Sequence, residues 1–255
     1  MTHPCRSQVA REFDRLASVY ARCRTGRSER EGREFADWLG LRSDEVVLDA
    51  ACGPGTLAGI MARRSARAFA LDISPRMLEL ARGSDRQGQI PLTMGDIEAL
   101  PYADGTFDLV TCTYAFANFR QPAKVLRELA RVTRPEGRIA IIDVVAPANP
   151  KRRLRLNQIE ARRSHLDTHI ASRAQFVKLF ESAGLVVLRS ACHFCRQSVR
   201  QWLERSPARI GQPARIREAL LKFVDGTRAA PQSGRRTSGY FVSYTTQWFV
   251  LLKHP

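Results

Sequence analysis

The hydrophobic rhythm of the chain changes near residue 46, and two kinds of structure are implied by the change. Before that point Val9, Phe13, Leu16 and Tyr20 recur at helical spacing, and Phe35, Trp38 and Leu39 resume after a polar, glycine-containing stretch at 25–32. This predicts helices packed on the front of the remaining domain. From Val46 onward short apolar runs alternate with helical segments. Strands are expected at 46–50, 68–73, 89–94, 107–113, 138–145 and 185–192, with a last one within 242–253. Helices fit between them at 57–64, 75–82, 122–133 and 173–183. Alternation on this scale implies crossover connections and a parallel sheet covered on both faces. Two segments, 150–170 and 199–239, break the alternation. They read as mainly helical insertions near the carboxyl ends of the strands, where open α/β sheets bind ligands.

Length and composition narrow this only a little. A chain of 255 residues with 44% hydrophobic content is enough for one large domain, or a domain with an inserted cap. The longest apolar run, near 139–146, is too short to span a bilayer, and charges occupy the N-terminus where a signal peptide would be apolar. A cytoplasmic location is therefore expected. Of six cysteines only Cys192 and Cys195 are closely spaced, and they lie in an apolar, strand-like run. Reduced, buried thiols are expected there rather than zinc.

The net charge of +16 raises the question of an acidic partner, nucleic acid first. Only five of the 41 basic residues are lysine, and the arginines are spread in ones and twos with no basic tail or aromatic-interleaved block. A genome-wide compositional bias accounts for that pattern more simply.

The stretch Val47 to Thr56, VLDAACGPGT, carries the first chemistry. Gly53, Gly55 and Ala58 satisfy the G-x-G-x-x-G/A pattern after a strand, which on its own suggests a dinucleotide. Asp49, ahead of the glycines, argues against a pyrophosphate and for a ligand with an ammonium group and a positive sulfur, and S-adenosylmethionine has both. The second strand ends at Asp72, placed to accept from both hydroxyls of a ribose. Gly95-Asp96-Ile97 comes after the third strand. Read singly, Asp49 could cap a helix, Asp72 and Asp96 could be turn residues, and the glycines could make a tight loop. It is their joint order and spacing that points to a nucleoside ligand.

That order, in VLDAACGPGT, ALDISPRML, GDIEALPYADGTFDLV and LRELARVTRPEGRIAIIDVV, resembles the class I S-adenosylmethionine-dependent methyltransferases. In detail it is similar to the small-molecule branch that includes the ubiquinone/menaquinone biosynthesis enzymes, over about residues 11–187. The resemblance implies an α/β, Rossmann-like fold with a seven-stranded, mostly parallel sheet, helices on both faces and a helical cap or lid. It implies that Asp49, Ala51, Gly53 and Gly55 surround the methionine part of the cofactor and that Asp72 holds the ribose. Ile73 and Met77 would lie against the adenine, Asp96 would meet its amino group, Ile97 would cover the ring, and Thr113 would line the methionine end. The expected division is 1–40 for N-terminal helices over the cofactor, 41–150 for the core, 151–172 for a lid, 173–198 for a helix and strand, 199–239 for a cap and 240–255 for the last strand.

Two regions depart from the family pattern. Relatives usually carry His-His-Phe after the fourth strand, where this chain has Ala117-Asn118-Phe119; it also keeps Asn157, Glu160 and Arg163 but continues Ser164-His165-Leu166-Asp167-Thr168-His169. Methyl transfer is an in-line displacement in which the sulfonium loses its charge, so orientation is the main contribution, and a base is needed only for a high-pKa acceptor. Tyr114 and Asn118 sit where the acceptor should enter. His165 and His169, spaced i, i+4, could share a helix face as base candidates, with a hydrogen-bonded lid histidine as the plainer alternative. No third ligand accompanies them, so no metal is expected.

The expected partners are a small acceptor (aromatic, quinone-like or a secondary metabolite), no specific nucleic acid and no membrane insertion; a homodimer is one of the oligomeric states that the sequence leaves open. Three alternatives stand beside this. A nucleic-acid methyltransferase would suit the charge, but TCTYAFANF lacks an N-P-P-Y type of base clamp. A non-catalytic S-adenosylmethionine-binding protein would show an intact cofactor site with a blocked acceptor pocket. An arsenic methyltransferase would need thiols such as Cys23, Cys112 and Cys192 to converge.

Overall fold

The computed structural model describes residues 4–22, 26–85, 88–163, 166, 168–198 and 241–254. Its centre is a seven-stranded sheet of β1 (Val46–Ala50), β2 (Arg67–Asp72), β3 (Leu92–Met94), β4 (Phe107–Thr113), β5 (Thr133–Val145), β6 (Leu185–Ser198) and β7 (Phe241–Lys253). The order is β3-β2-β1-β4-β5-β7-β6, with β7 antiparallel to both neighbours and every other pairing parallel. Strand order reverses between β1 and β4, which opens a crevice at the carboxyl ends of those strands.

Continuous apolar runs make the strands because both faces of the sheet are buried. Leu48 and Val110 join a core of Phe107, Leu126, Phe176 and Phe249, beneath helices α5 (Pro122–Val132) and α7 (Arg173–Ser182). Their neighbours Val47 and Leu109 point to the other face and pack with Phe35, Leu39, Met61 and Trp248, from α2 (Gly26–Leu39), α3 (Thr56–Met61) and β7. Helix α1 (Pro4–Arg22) lies against α4 (Pro75–Arg82). Ser74 caps α4 by accepting from Met77 N at 3.1 Å, and its own hydroxyl donates to Asp14 of α1 at 2.6 Å. The N-terminal helix is thus tied to the β2 end of the crevice.

The differences from the sequence pattern have local causes. From Gly26 the polar stretch is helical and forms the start of α2, supported by i, i+4 ion pairs Arg30–Glu34 and Arg33–Glu29 at 3.3 and 3.7 Å. Strand β3 is three residues rather than six, and Pro91, which has no N–H to give a ladder, precedes it. Strand β5 starts earlier, at Thr133, and β6 runs on to Ser198 by pairing with β7 along its whole length. The segment expected to be a lid holds helix α6 (Pro150–Arg163). Ile159 and Ile170 are buried, whereas Leu154 is 60% exposed, on the outer side of α6. The expected cap at 199–239 lies outside the described residues.

Candidate functional site

A cavity of about 1330 Å³ opens at the crevice, walled by α1, α2, the loops after β1, β2, β3 and β4, and α6. Its floor is the loop 51–55. Ala51, Gly53 and Gly55 all take left-handed backbone angles, at φ 59, 52 and 72°. At Gly53 a β-carbon would meet no protein atom within 4 Å, so the loop shows bare backbone to the cavity. At Gly55 it would lie 2.7 Å from Ala81 Cβ and 2.9 Å from Ala81 Cα. The two glycines therefore do different things: Gly53 leaves room for a ligand, and Gly55 lets α3 pack on α4.

Asp72, at the end of β2, is buried and braces this loop. Its Oδ2 accepts from Gly53 N at 2.8 Å and its Oδ1 from Ser74 N at 2.9 Å. A carboxylate has about four acceptor positions, so two remain for ligand hydroxyls. Burial pushes its pKa up, against the backbone N–H groups that favour the charged form. Ile73, Met77, Ile97 and Thr113 also line the cavity, as does Asp96, whose Oδ1 accepts from Glu98 N at 2.8 Å.

Asp49 and Gly55 lie just beneath the cavity wall rather than on it. Asp49 lies on β1 beneath the loop, 1% exposed, and accepts from the Thr111 hydroxyl at 2.9 Å. Burial raises its carboxyl to about 7; the Thr111 hydroxyl and the Ala58 backbone N–H oppose the shift without cancelling it. A group half-protonated near neutrality repels a pyrophosphate less than the sequence suggests. The cavity wall itself replaces that effect, since acidic side chains on it outnumber basic ones seven to three. On a chain of net charge +16 this makes the cavity a place for cations.

Of the catalytic candidates, Tyr114 and Asn118 line the cavity together. His169 does not: it is exposed, and its N–H donates to Ala117 O at 2.9 Å. Helix α6 ends at Arg163, and the chain around His169 is not helical, so His169 does not continue the helix face expected to hold both histidines. Asn157 fastens that returning segment through Ile170 N and O at 2.7 and 3.1 Å. His165 lies outside the described residues. The Cys192–Cys195 pair is also split, because strand residues three apart face opposite ways: Cys195 is buried against the cavity and Cys192 is exposed. Cys112 is buried and not on the wall, and Cys23 lies outside the described residues. Among the described residues no group of three or more His, Cys, Asp or Glu side chains could hold a metal ion.

Two wall residues were not singled out in the sequence. Asp143 on β5 accepts from Phe116 N and Val144 N at 2.8 and 2.7 Å, fixing the 3-10 turn Phe116–Asn118 that carries Asn118. Burial raises its carboxyl, too, to about 7. Its signal was available, an acid inside the apolar run IIDVV, as in VVLDA. Glu31, on α2, accepts from the Tyr114 hydroxyl and had no signal, being one of several acids in a polar helix.

The buried carboxyls set a pH dependence. Asp49 and Asp143 keep a proton in the fold up to about pH 7, whereas unfolded they release it near 3.8. Their contribution is full below about pH 4 and lost as pH rises to 7, by up to roughly 4 kcal/mol each. Asp108 and Glu128, whose pKa values are lowered, act oppositely at the acid end. Thermal unfolding should therefore show a higher midpoint at pH 5.5 than at pH 8. Asp49→Asn should flatten that slope; an unchanged slope would remove Asp49 as its source.

Residues 48–141 match the family model described as a methyltransferase domain. A demethylmenaquinone methyltransferase of Lactobacillus johnsonii is 31% identical over 155 residues, covering 58% of this chain and 62% of the relative. The chain thus spans somewhat under two thirds of that relative's length. A candidate methyltransferase from Bacillus halodurans superposes with a TM-score of 0.73 at 23% identity, over 89% of this chain and 99% of that one. Geranyl diphosphate C-methyltransferase from Streptomyces coelicolor, solved with S-adenosyl-L-homocysteine, gives 0.62 at 16% identity, over 89% and 79%. At these identities the structures establish a shared fold, the Rossmann-like class I fold with its seven-stranded sheet.

Proposed function

We propose that this chain, whose residues 48–141 form a methyltransferase domain, transfers the methyl group of S-adenosylmethionine to a small-molecule acceptor. The observation that carries this is the position of that domain's ligand loops. Gly53, with open space where a side chain would be, lies bonded to Asp72 at the floor of one large acidic cavity. Asp72 would take the ribose hydroxyls, Gly53 and Ala51 the methionine part, and Met77 with Ile97 the adenine. The bound cofactor supplies an electrophilic methyl on a positive sulfur. The chain's own part is to orient the acceptor against it and to exclude water.

A small acceptor is favoured over nucleic acid because phosphates would meet the acidic wall. The size of the cavity argues against a purely cofactor-binding protein, since room remains beyond the cofactor end, toward Tyr114, Phe119 and Leu156. An aromatic or quinone-like acceptor is proposed from the likeness to the demethylmenaquinone methyltransferase. A cytoplasmic location completes the proposal. No described helix is long and apolar enough to cross a membrane.

The test is incubation with methyl-labelled S-adenosylmethionine and a host metabolite extract, read by mass spectrometry. Label should appear in a small apolar product; label confined to RNA would reverse the choice of acceptor. Within α6, Leu156 lines the cavity and Ile159 is buried, so changing both to serine should cut turnover at least about tenfold by loosening the closure. Arg153→Gln, which removes only a surface charge bonded to Ala148 O, should not. The reverse ranking would mean that the charge, not the apolar face, serves the acceptor.

A further inference from the structure

Tyr114 stands immediately after β4, at the acceptor side of the cavity, and its backbone is unusual. It has φ 56°, the left-handed region that bulky L-residues seldom enter, and its N–H is held by Ile142 O at 2.7 Å. Such strain concentrates at functional sites. The turn aims the ring into the cavity, where its hydroxyl donates to Glu31 Oε1, 83 residues earlier in the chain. Tyr114 remains 42% exposed on the cavity wall, open to a molecule bound there, and Glu31 already polarises its phenol oxygen. Packing around the phenol, then the Glu31 carboxylate, raises its pKa well above the ordinary range, so Tyr114 stays protonated and cannot by itself be a base.

Other acids on the wall are already engaged. Asp143 accepts two backbone N–H groups, Glu12 is paired with Arg15 at 2.7 Å, and Glu98 lies 3.7 Å from Lys124. The exposed His169 is not on the wall.

We propose that Tyr114 and Glu31 form a proton relay for an acceptor that presents a weakly acidic hydroxyl, a phenol or an enol. This rests on the methyltransferase function proposed above. The acceptor hydroxyl contacts Tyr114 Oη. As an electron pair of the acceptor oxygen, or of the carbon conjugated to it, forms the bond to the methyl, the carbon–sulfur bond breaks and its pair stays on sulfur. The hydroxyl proton passes to Tyr114 Oη while the tyrosine's own proton passes to Glu31. Sulfonium and carboxylate are neutralised together, and Glu31, partly exposed on α2, returns the proton to water. Tyr114 is the catalytic residue of the pair; Glu31 acts through it.

The test uses the full chain with Tyr114→Phe and Glu31→Gln, and a series of phenols from unsubstituted to nitro-substituted, with a primary amine as comparison. Affinity for S-adenosylhomocysteine, read by calorimetry, should stay within about threefold of the unsubstituted chain. Methyl transfer to the least acidic phenols should fall at least about tenfold in both variants, and transfer to a nitrophenol already ionised at the assay pH should nearly recover. A purely structural tie would lower all acceptors alike, so equal loss along the series overturns the relay. So does undiminished transfer in both variants, loss of cofactor affinity in both, or an unsubstituted chain that methylates no hydroxyl acceptor. If Tyr114→Phe alone loses the cofactor, Glu31→Gln decides by the same criterion. Failure of the unsubstituted chain to bind S-adenosylhomocysteine would instead remove the methyltransferase function itself.

Discussion

Gly53→Val is expected to abolish S-adenosylhomocysteine binding while the chain still folds, and Gly55→Ala to destabilise the fold before it affects binding. Both glycines have positive φ, so either substitution carries a backbone cost of about 1–2 kcal/mol. What separates them is the space. A side chain at Gly53 enters the cavity without touching protein and takes the place of a ligand. A β-carbon added at Gly55 would fall 2.9 Å from the backbone of α4 at Ala81, forcing α3 and α4 apart, with a further cost of about 1–3 kcal/mol. Calorimetric titration and thermal unfolding of the two variants check this. A Gly53→Val variant that binds normally would mean that the loop does not face the cofactor.

Asp72→Ala should weaken S-adenosylhomocysteine binding at least about tenfold. Two charge-assisted bonds to ribose hydroxyls, each contributing roughly 1.5–3 kcal/mol, would be lost. The structure adds a second reason: the same carboxylate holds Gly53 N and Ser74 N, so its removal also frees the floor of the cavity. Asp72→Asn should be intermediate, since the amide oxygen can serve one of those N–H groups and the amide nitrogen neither. Equal affinity in a folded Asp72→Ala variant would take Asp72 out of the site.

The strands and the loops that meet at the β1–β2 side of the cavity were legible in the sequence because their causes are local. An apolar run entering Asp49, the left-handed loop after it and the acid ending β2 are close together in the text, and parallel strands buried on both faces read as unbroken hydrophobic runs. The seven-stranded, mostly parallel sheet expected from that text is the one found. Spacing could not give direction. Asp49 and Gly55 carry the expected residue types but are buried just beneath the wall, Asp49 against the Thr111 hydroxyl and Gly55 against Ala81 of α4. The acceptor side was least legible because it is assembled from distant pieces. Glu31 meets Tyr114 across 83 residues, and Asp143 holds the turn at Phe116 from another strand. His165 and His169 looked like a pair by periodicity, but the chain at His169 is not helical, and His165 lies outside the described residues.

The cofactor assignment is tested most directly by titrating the full chain with S-adenosylhomocysteine and, separately, with NAD, following heat in a neutral buffer. The acidic wall and the loop held by Asp72 predict saturable binding of S-adenosylhomocysteine at one site per chain, with an affinity at least about a hundredfold higher than for NAD, whose pyrophosphate the wall disfavours. NAD binding as tight as or tighter than that of S-adenosylhomocysteine would contradict it.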